Sequence, residues 1–347
     1  MKKVATPEEI SRAAQILDEG GLVAFPTETV YGLGADASSS LAIGRIYAAK
    51  GRPSNHPVIV HVAPGADLSF WAAEVPEQAR ALIRAFWPGP LTLILKRAAQ
   101  TLDSVSGGQD SVGLRCPSHP VAQALLRAFA ARRGGHAGVA GLSANRFGQV
   151  SPTQAEHVKK EFPELVAQGM PVLDGGPSQV GIESTIVDLS RLDQGIGPVL
   201  LRPGYITADQ LSEVLGVPVL PPDTMAPRVS GALKSHYAPN TPLKLASAET
   251  MMEWARDSQR ILSRDEHADG CKIAMVSHSF SKAPRGLDPR VTWFGMPNDA
   301  VAYAHSLYST LRSLDDSGVN LIVWEEVPDT QPWAGIRDRL GRAAAAH

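Results

Sequence analysis

The amino-acid sequence predicts a mixed α/β fold divided into two domains, and three observations carry this prediction. Hydrophobic residues make up 44% of the 347 residues, enough for each half to bury a core. Short apolar runs interleave with longer segments in which apolar residues recur at helical spacing. Some of the short runs follow one another with no helix between them, so the sheet is predicted to be mixed rather than purely parallel.

The elements of the first domain are set by start and stop signals. Thr6 and Glu9 form a predicted capping box around Pro7, and the helix that they open ends at Gly20 and Gly21. A buried strand at residues 22–25 is stopped by Pro26. The remaining helices are predicted at residues 41–49, 76–87 and 121–133, and the remaining strands at 58–62, 91–95, 112–115, 139–142, 182–189 and 199–201.

A domain boundary is predicted after Leu215, which gives a first domain at 1–215, a linker at 216–242 and a second domain at 243–347. The linker is rich in proline and has no apolar periodicity, and long ordered loops of this kind are often functional. We therefore expect it to act as a lid. Beyond it, helices are predicted at 248–263, 300–314 and 333–343, and strands at 272–276, 291–294 and 319–324.

Composition argues against several classes of protein. The chain has 33 Lys and Arg against 35 Asp and Glu, which is unlike a globally basic nucleic-acid binder. It has no apolar run long enough to span a membrane, and the start MKKVATPEEI lacks the apolar core of a secretory signal. Two cysteines exclude a disulfide scaffold and a cysteine-based zinc site, so we expect a cytoplasmic protein without a resident metal.

The most informative pattern is the distribution of charge. Residues 37–66 contain no Asp or Glu but carry Arg45, Lys50, Arg52, His56 and His61. Residues 111–155 also lack acids and carry Arg115 and six further basic side chains: His119, Arg127, Arg132, Arg133, His136 and Arg146. Two such segments indicate one pocket for phosphate or carboxylate groups, with a solvated basic surface as the alternative.

Several loops offer polar side chains to such a pocket, and each also has an ordinary structural explanation. Lys50 and Arg52 flank Gly51 after a helix, where a basic helix end would complement the dipole equally well. The loop with Thr29, the strand end at Ser143 and Asn145, and Ser151 offer uncharged partners or local caps. We expect Ser151 to open a helix whose N-terminus suits an anion. Ser184 and Arg202 can bind substrate and phosphate, or serve as a turn residue and a surface charge.

Six ordered motifs over residues 5–210 resemble the YrdC-type L-threonylcarbamoyladenylate synthases: PTETVYGLGADA, KGRP with NHPVIVHV, GLRCP, LSANRFGQVSPT, GIESTIVDL and LRPGYIT. The sequence SHYAP at residues 235–239 resembles the linker of the long form of that family. The resemblance implies a twisted mixed sheet with a concave basic pocket, followed by a smaller Rossmann-like α/β domain.

The resemblance also implies a reaction and a set of site residues. L-threonine and bicarbonate (or CO2) form a carbamate that attacks the α-phosphate of ATP with Mg2+ assisting, and a separate transferase complex then modifies tRNA, which this family does not bind stably. Residues that match the family's catalytic signature are Lys50, Arg52, Ser143 and Asn145. Residues matched to threonine binding are Thr29, His61, Arg115, Gly141 and Ser184. Residues matched to ATP binding are Lys50, Arg52, His56, Ser111, Ser143, Ser151, Arg202 and Tyr237.

Two other functions compete with this interpretation. A non-catalytic RNA-binding module would use the same basic concavity, but the balanced charge and the 6% of aromatic residues argue against it. A carbamoyltransferase subdomain of a larger maturation factor would carry zinc-finger cysteines and an acylphosphatase unit, and this sequence has neither.

Overall fold

The computed structural model describes residues 4–135, 137–231, 236–257 and 270–346. The chain divides into two compact units. Unit 1 comprises Met1–Phe147 and Ser151–Ala232, and unit 2 comprises Gly148–Val150 and Leu233–His347. The first part of the predicted linker thus lies in unit 1 and the rest in unit 2, while the predicted boundaries at 215 and 242 stay a prediction.

Unit 1 alternates helices and strands along most of its length. Its helices are α1 (Pro7–Asp18), α2 (Ser40–Lys50), α3 (Glu77–Phe86), α4 (Asp103–Ser106), α5 (Pro120–Arg132), α6 (Ala155–Glu161), α7 (Pro163–Ala167) and α8 (Ala208–Leu215). Its strands are β1 (Val23–Phe25), β2 (Gly32–Asp36), β3 (Ile59–His61), β4 (Leu91–Lys96), β5 (Ser111–Arg115), β6 (Val139–Ser143), β7 (Thr185–Asp188) and β8 (Val199–Arg202). The capping box predicted for α1 is confirmed, because Thr6 and Glu9 exchange side chain–backbone hydrogen bonds.

The eight strands form one sheet in the order β1-β2-β6-β3-β5-β4-β7-β8. β3 pairs with β5, and β4 with β7, in parallel, whereas the other neighbours are antiparallel. The predicted mixed sheet is therefore confirmed. The register places His61 beside Arg115 and beside Val139, and Gly141 beside Gly34.

Because side chains alternate along a strand, this register gives the sheet two different faces. The apolar face carries Leu33, Val60, Leu93, Leu114, Leu142 and Val187, which belong to one hydrophobic cluster with residues of α2, α3 and α8. The polar face carries Gly34, His61, Thr92, Gly113, Arg115 and Gly141. Near β1, this second face packs on α1 and α5 through Val23, Phe25 and Val139.

Unit 2 contains a four-stranded sheet whose strands are all parallel, in the order β11-β10-β12-β9. Its strands are β9 (Leu243–Ala246), β10 (Ile273–Ser277), β11 (Val291–Gly295) and β12 (Leu321–Glu325), and its helices are α9 (Ala248–Arg256), α10 (Ala300–Asp315) and α11 (Ala334–Ala344). This parallel sheet confirms the predicted smaller α/β domain.

Several element predictions need correction. Residues 32–34, expected in a loop, begin β2, because neighbouring glycines fit a strand where the Phe25 ring lies against them. The strand expected at 182–189 is only Thr185–Asp188. The helix expected to open at Ser151 begins at Ala155 instead, since Ser151 uses its hydroxyl on Glu183. The helix expected at 248–263 is described as Ala248–Arg256, and residues 258–263 lie outside the described part of the chain.

The linker prediction also missed local order. Within unit 1, the Leu200 amide donates to the Leu220 carbonyl at 2.9 Å, and the Leu220 amide donates to the Pro198 carbonyl at 2.8 Å. This part of the proline-rich stretch therefore runs beside β8. Across the described residues, none of the helices has both the length and the apolar character needed to cross a membrane.

Candidate active site

The first group of candidate residues lies where α2 ends. Gly51 follows the helix with φ 62°, a left-handed conformation that suits glycine and turns the chain into the Arg52 loop. Lys50 is buried, and its Nζ donates to the Ser143 carbonyl at 2.5 Å and to the Asn145 carbonyl. Three residues of the predicted catalytic signature, Lys50, Ser143 and Asn145, are thereby brought together.

Burial has a strong effect on the charge of Lys50. Desolvation, with a smaller contribution from the Arg52 cation, lowers the pKa of Lys50 from 10.5 to about 7. Its ammonium is thus easily lost near neutral pH unless a further anion stabilises it.

Two arginines are joined by one residue of the predicted linker. Arg52 Nη1 donates to the Ser230 Oγ at 3.2 Å, and Arg202 Nη1 donates to the Ser230 carbonyl at 2.9 Å. The Arg52 guanidinium also lies 5.7 Å from the centre of the Phe147 ring. Ser230 therefore brings together two cations that lie 150 residues apart in the sequence.

Arg202 is fixed further by the start of β7. Its Nε donates to the Ser184 carbonyl and its Nη2 to the Ser184 Oγ, both at 3.0 Å. The Ser184 Oγ in turn lies 2.8 Å from the Thr92 Oγ1 on the polar face. This chain of contacts links the predicted phosphate-binding Arg202 to Ser184, which was predicted to bind threonine.

The second group lies on β3, β5 and β6. Arg115 Nη2 donates to the Glu28 Oε1 at 2.7 Å, and both side chains are buried. Two polar atoms of this group, Arg115 Nε and His61 Nδ1, are buried and have no hydrogen-bond partner within the described residues. Unpartnered buried polar atoms are costly, so they mark a place where a ligand can supply the missing bonds.

The His61 ring depends on a glycine beside it. A Cβ built on Gly141 would lie 2.8 Å from the His61 Cε1 and Nδ1, so any other residue would displace the ring. The ring also meets the Phe25 ring edge-on at 5.7 Å. Burial, together with the Arg115 cation, lowers the pKa of His61 to about 3, and the imidazole is therefore neutral.

The other predicted residues take different positions. The Thr29 hydroxyl is buried 2.8 Å from the Thr27 hydroxyl, in the loop that also supplies Glu28. His56 lies edge-on to Phe147 at 5.9 Å, and burial and the Arg52 cation lower its pKa. Ser111 is buried at the start of β5. The Ser151 Oγ donates to the Glu183 Oε1 at 2.5 Å.

Tyr237 belongs to unit 2. Its ring lies 5.9 Å from the Tyr308 ring, and the Arg339 guanidinium lies 5.3 Å from its centre. Its backbone has φ 61°, which is rare for a residue other than glycine.

Sequence reasoning missed four residues that complete the site: Glu28, Thr92, Glu183 and Ser230. Glu28 stood inside a motif that was singled out for its hydroxyls, but only the fold shows that it reaches Arg115, 87 positions away. Within the ranges that the structure describes, no group of three or more His, Cys, Asp or Glu side chains could hold a metal ion.

Two protein-family models match the chain. One, described as "Telomere recombination", matches residues 15–204, and the other, described as "Threonylcarbamoyl-AMP synthase, C-terminal domain", matches residues 206–345. The matches together span most of both units.

Curated and solved relatives are similar over nearly the whole chain. The Bacillus subtilis threonylcarbamoyl-AMP synthase is 38% identical over 97% of this chain and 93% of its own length. The Pyrococcus abyssi threonylcarbamoyl-AMP synthase is 35% identical over 97% of this chain and 94% of its own. The crystal structure of P. abyssi Sua5 complexed with L-threonine has a TM-score of 0.82 and 32% identity, covering 98% of this chain and 95% of that one.

Proposed function

This chain belongs to the threonylcarbamoyl-AMP synthase family, and we propose that its unit 1 site makes threonylcarbamoyl-AMP and pyrophosphate from L-threonine, bicarbonate and ATP. The observation that carries the proposal is the pair of buried, unpartnered atoms Arg115 Nε and His61 Nδ1 on the polar face of the sheet. These atoms offer hydrogen bonds for a carboxylate. Arg52 and Arg202, which are linked to the same face through Ser184 and Thr92, offer positive charge for phosphates.

On the threonine side, Arg115 binds the carboxylate and the neutral His61 accepts a hydrogen bond from the substrate. A guanidinium fork suits a carboxylate because it offers two parallel N–H donors. Gly141 leaves room for the His61 ring, and Thr29 and Ser184 offer buried hydroxyls as further hydrogen-bond partners for threonine. A relative solved in complex with L-threonine supports threonine as the ligand.

On the nucleotide side, Lys50, Arg52 and Arg202 bind the phosphates. The further ATP contacts that the family resemblance implies are Ser143, Asn145, His56, Ser111 and Ser151. The negative charge that grows on the phosphates during adenylyl transfer is best stabilised by cations that are already in place. Mg2+ enters as part of the substrate, bound to ATP. The contact of Tyr237 with ATP and the role of the linker as a lid stay predictions.

The reaction needs positioning and charge more than a protein nucleophile. The threonine nitrogen and bicarbonate form a carbamate and water, a carbamate oxygen attacks the α-phosphorus, and pyrophosphate leaves. Arg115 and His61 hold the threonine end while Arg52 and Arg202 hold the phosphate end, which aligns the two reactants. Exclusion of water protects the short-lived carbamate.

The product is the activated group for threonylcarbamoyl modification of tRNA, so we expect it to pass in the cytoplasm to a tRNA threonylcarbamoyl transferase complex. The chain itself is not expected to bind tRNA stably or to associate with a membrane. Its net charge of -2 agrees with this expectation.

The test is to incubate the purified chain with MgATP, L-threonine and bicarbonate, and to measure pyrophosphate and threonylcarbamoyl-AMP. We expect release of pyrophosphate only when all three substrates are present. Equal release with ATP alone would identify a simple ATPase and reject the proposal. Salt-dependent RNA binding without pyrophosphate release would instead support the RNA-binding module.

A further inference from the structure

Glu28 is a buried carboxylate inside the site for which the reaction described above has no task. Its Oε1 accepts a hydrogen bond from Arg115 Nη2 at 2.7 Å, and its Oε2 accepts one from the Ser118 amide at 3.0 Å. The Glu28 backbone carbonyl also accepts a hydrogen bond from the Val180 amide at 2.7 Å. The carboxylate is therefore held in one position, and it holds the Arg115 guanidinium in turn.

This pairing changes which ligands Arg115 can attract. A lone buried guanidinium would favour any carboxylate, but the buried Arg115–Glu28 pair is neutral as a whole. A ligand with only a negative charge is attracted by Arg115 and repelled by Glu28 over a similar distance. An amino-acid zwitterion carries its ammonium beside its carboxylate, so it can match both charges at once.

Resting on the proposed function, we propose that Glu28 is a specificity-determining residue that selects the ammonium group of threonine while Arg115 binds the carboxylate. His61 cannot supply this negative charge, because its imidazole is neutral. Glu183, another buried carboxylate of the site, accepts a hydrogen bond from Ser151 instead.

The same arrangement of charges affects where the carbamate lies once it has formed. When the ammonium of threonine reacts with bicarbonate, its nitrogen loses two protons, one into the water that leaves and one to solvent. The nitrogen becomes neutral and bears an anionic carboxylate. Glu28 then repels the group that it first attracted, whereas Arg52 and Arg202 attract it. Glu28 thus favours the approach of the carbamate to the phosphate-binding cations.

The experiment compares L-threonine with 3-hydroxybutyrate, which keeps the carboxylate, hydroxyl and methyl groups but lacks the ammonium. Binding of each is measured by calorimetry on the full chain and on Glu28→Gln. We expect the full chain to bind threonine at least tenfold more tightly than 3-hydroxybutyrate. In Glu28→Gln, threonine should bind about tenfold more weakly and 3-hydroxybutyrate more tightly, so that the preference disappears.

The matched control is Asp36→Asn. Asp36 is also a buried carboxylate of unit 1 that accepts a hydrogen bond from an arginine at 2.7 Å, in this case Arg133, and it lies outside the proposed site. We expect Asp36→Asn to prefer threonine over 3-hydroxybutyrate to the same extent as the unchanged chain. Binding of a non-hydrolysable ATP analogue to Glu28→Gln should also be unchanged, which shows that the variant is folded.

Two results would overturn the inference. The first is equal weakening of both ligands in Glu28→Gln, which would mean that Glu28 only supports the fold. The second needs no variant: the unchanged chain binds 3-hydroxybutyrate as tightly as threonine. If the unchanged chain neither binds threonine nor releases pyrophosphate, the proposed function fails, whereas normal turnover without the predicted preference rejects the role of Glu28 alone.

Discussion

The two faces of the unit 1 sheet differ in what their side chains contact, although neighbouring residues of the same strands supply both faces. Leu114 and Val60 point into the hydrophobic cluster, while Arg115 and His61, the next residues along the same strands, lie on the polar face. On the apolar face, side chains pack on one another in a core, and the folded chain needs nothing further there. On the polar face, buried atoms of Arg115 and His61 still lack hydrogen-bond partners in the described structure.

This difference separates what stabilises the fold from what binds a ligand. Packing of apolar side chains contributes most of the free energy of folding, whereas a buried polar atom without a partner lowers stability. The polar face keeps such atoms, and the glycines around them, at the expense of stability. Substitutions on the apolar face should therefore lower the free energy of unfolding. Substitutions in the polar site should instead lower turnover or the affinity for a substrate.

The largest effect on turnover is expected from Arg52→Ala, which removes a cation that Ser230 connects to the polar face. Loss of a charge-assisted phosphate contact should lower kcat/KM for ATP by roughly a hundredfold or more. Arg52→Lys should also be impaired, because a point charge does not replace a planar fork. Steady-state release of pyrophosphate measures both, and wild-type activity in Arg52→Ala would reduce this loop to a basic helix end.

The next effect is expected on stability, from Leu114→Ala on the apolar face. Loss of this fully buried side chain should lower the free energy of unfolding by about 2–4 kcal/mol, measured by urea denaturation. In the folded fraction, kcat/KM should change less than about twofold, since Leu114 does not face the site. Leu41→Ala, at a leucine of α2 that is 72% exposed, is the control and should cost under about 0.5 kcal/mol. A large loss of turnover at unchanged stability in Leu114→Ala would contradict the division between the faces.

The smallest effect is expected from Gly141→Ala, because one methyl group only displaces the His61 ring. A contact of 2.8 Å cannot persist, so the ring must shift. We expect the KM for threonine to rise about tenfold and the KM for ATP to stay nearly constant. Gly44→Ala on α2 is the matched control, since a Cβ there meets nothing within 4 Å and favours the helix. Equal changes in both KM values would show a general disturbance of the sheet.

The sequence predicted most elements of the fold but not how the site is connected. The strands near residues 60, 114 and 140 were predicted because alternation and apolar runs are local signals. β2 was missed because Gly32 and Gly34 resemble loop residues, and their fit in a strand depends on the Phe25 ring, which belongs to another strand. Local patterns carry no information of that kind.

The candidate site shows the same limit. Lys50, Ser143 and Asn145 were predicted as one group from their motifs, and direct hydrogen bonds join them. The link from Arg52 through Ser230 to Arg202 could not be predicted, because it depends on the path of a proline-rich segment without periodicity. The pairing of Glu28 with Arg115 could not be predicted either. β6 and β3 separate β2 from β5 in the sheet, and the β1–β2 loop still brings Glu28 to Arg115.

Because Ser230 already bonds both arginines, nucleotide phosphates would replace existing hydrogen bonds rather than fill empty positions. Arg52 and Arg202 each already have a hydrogen bond to this residue, so phosphates bound as we propose must displace those bonds or share the guanidinium groups with them. The affinity for ATP then reports a difference between two sets of contacts and is weaker than the phosphate contacts alone would give.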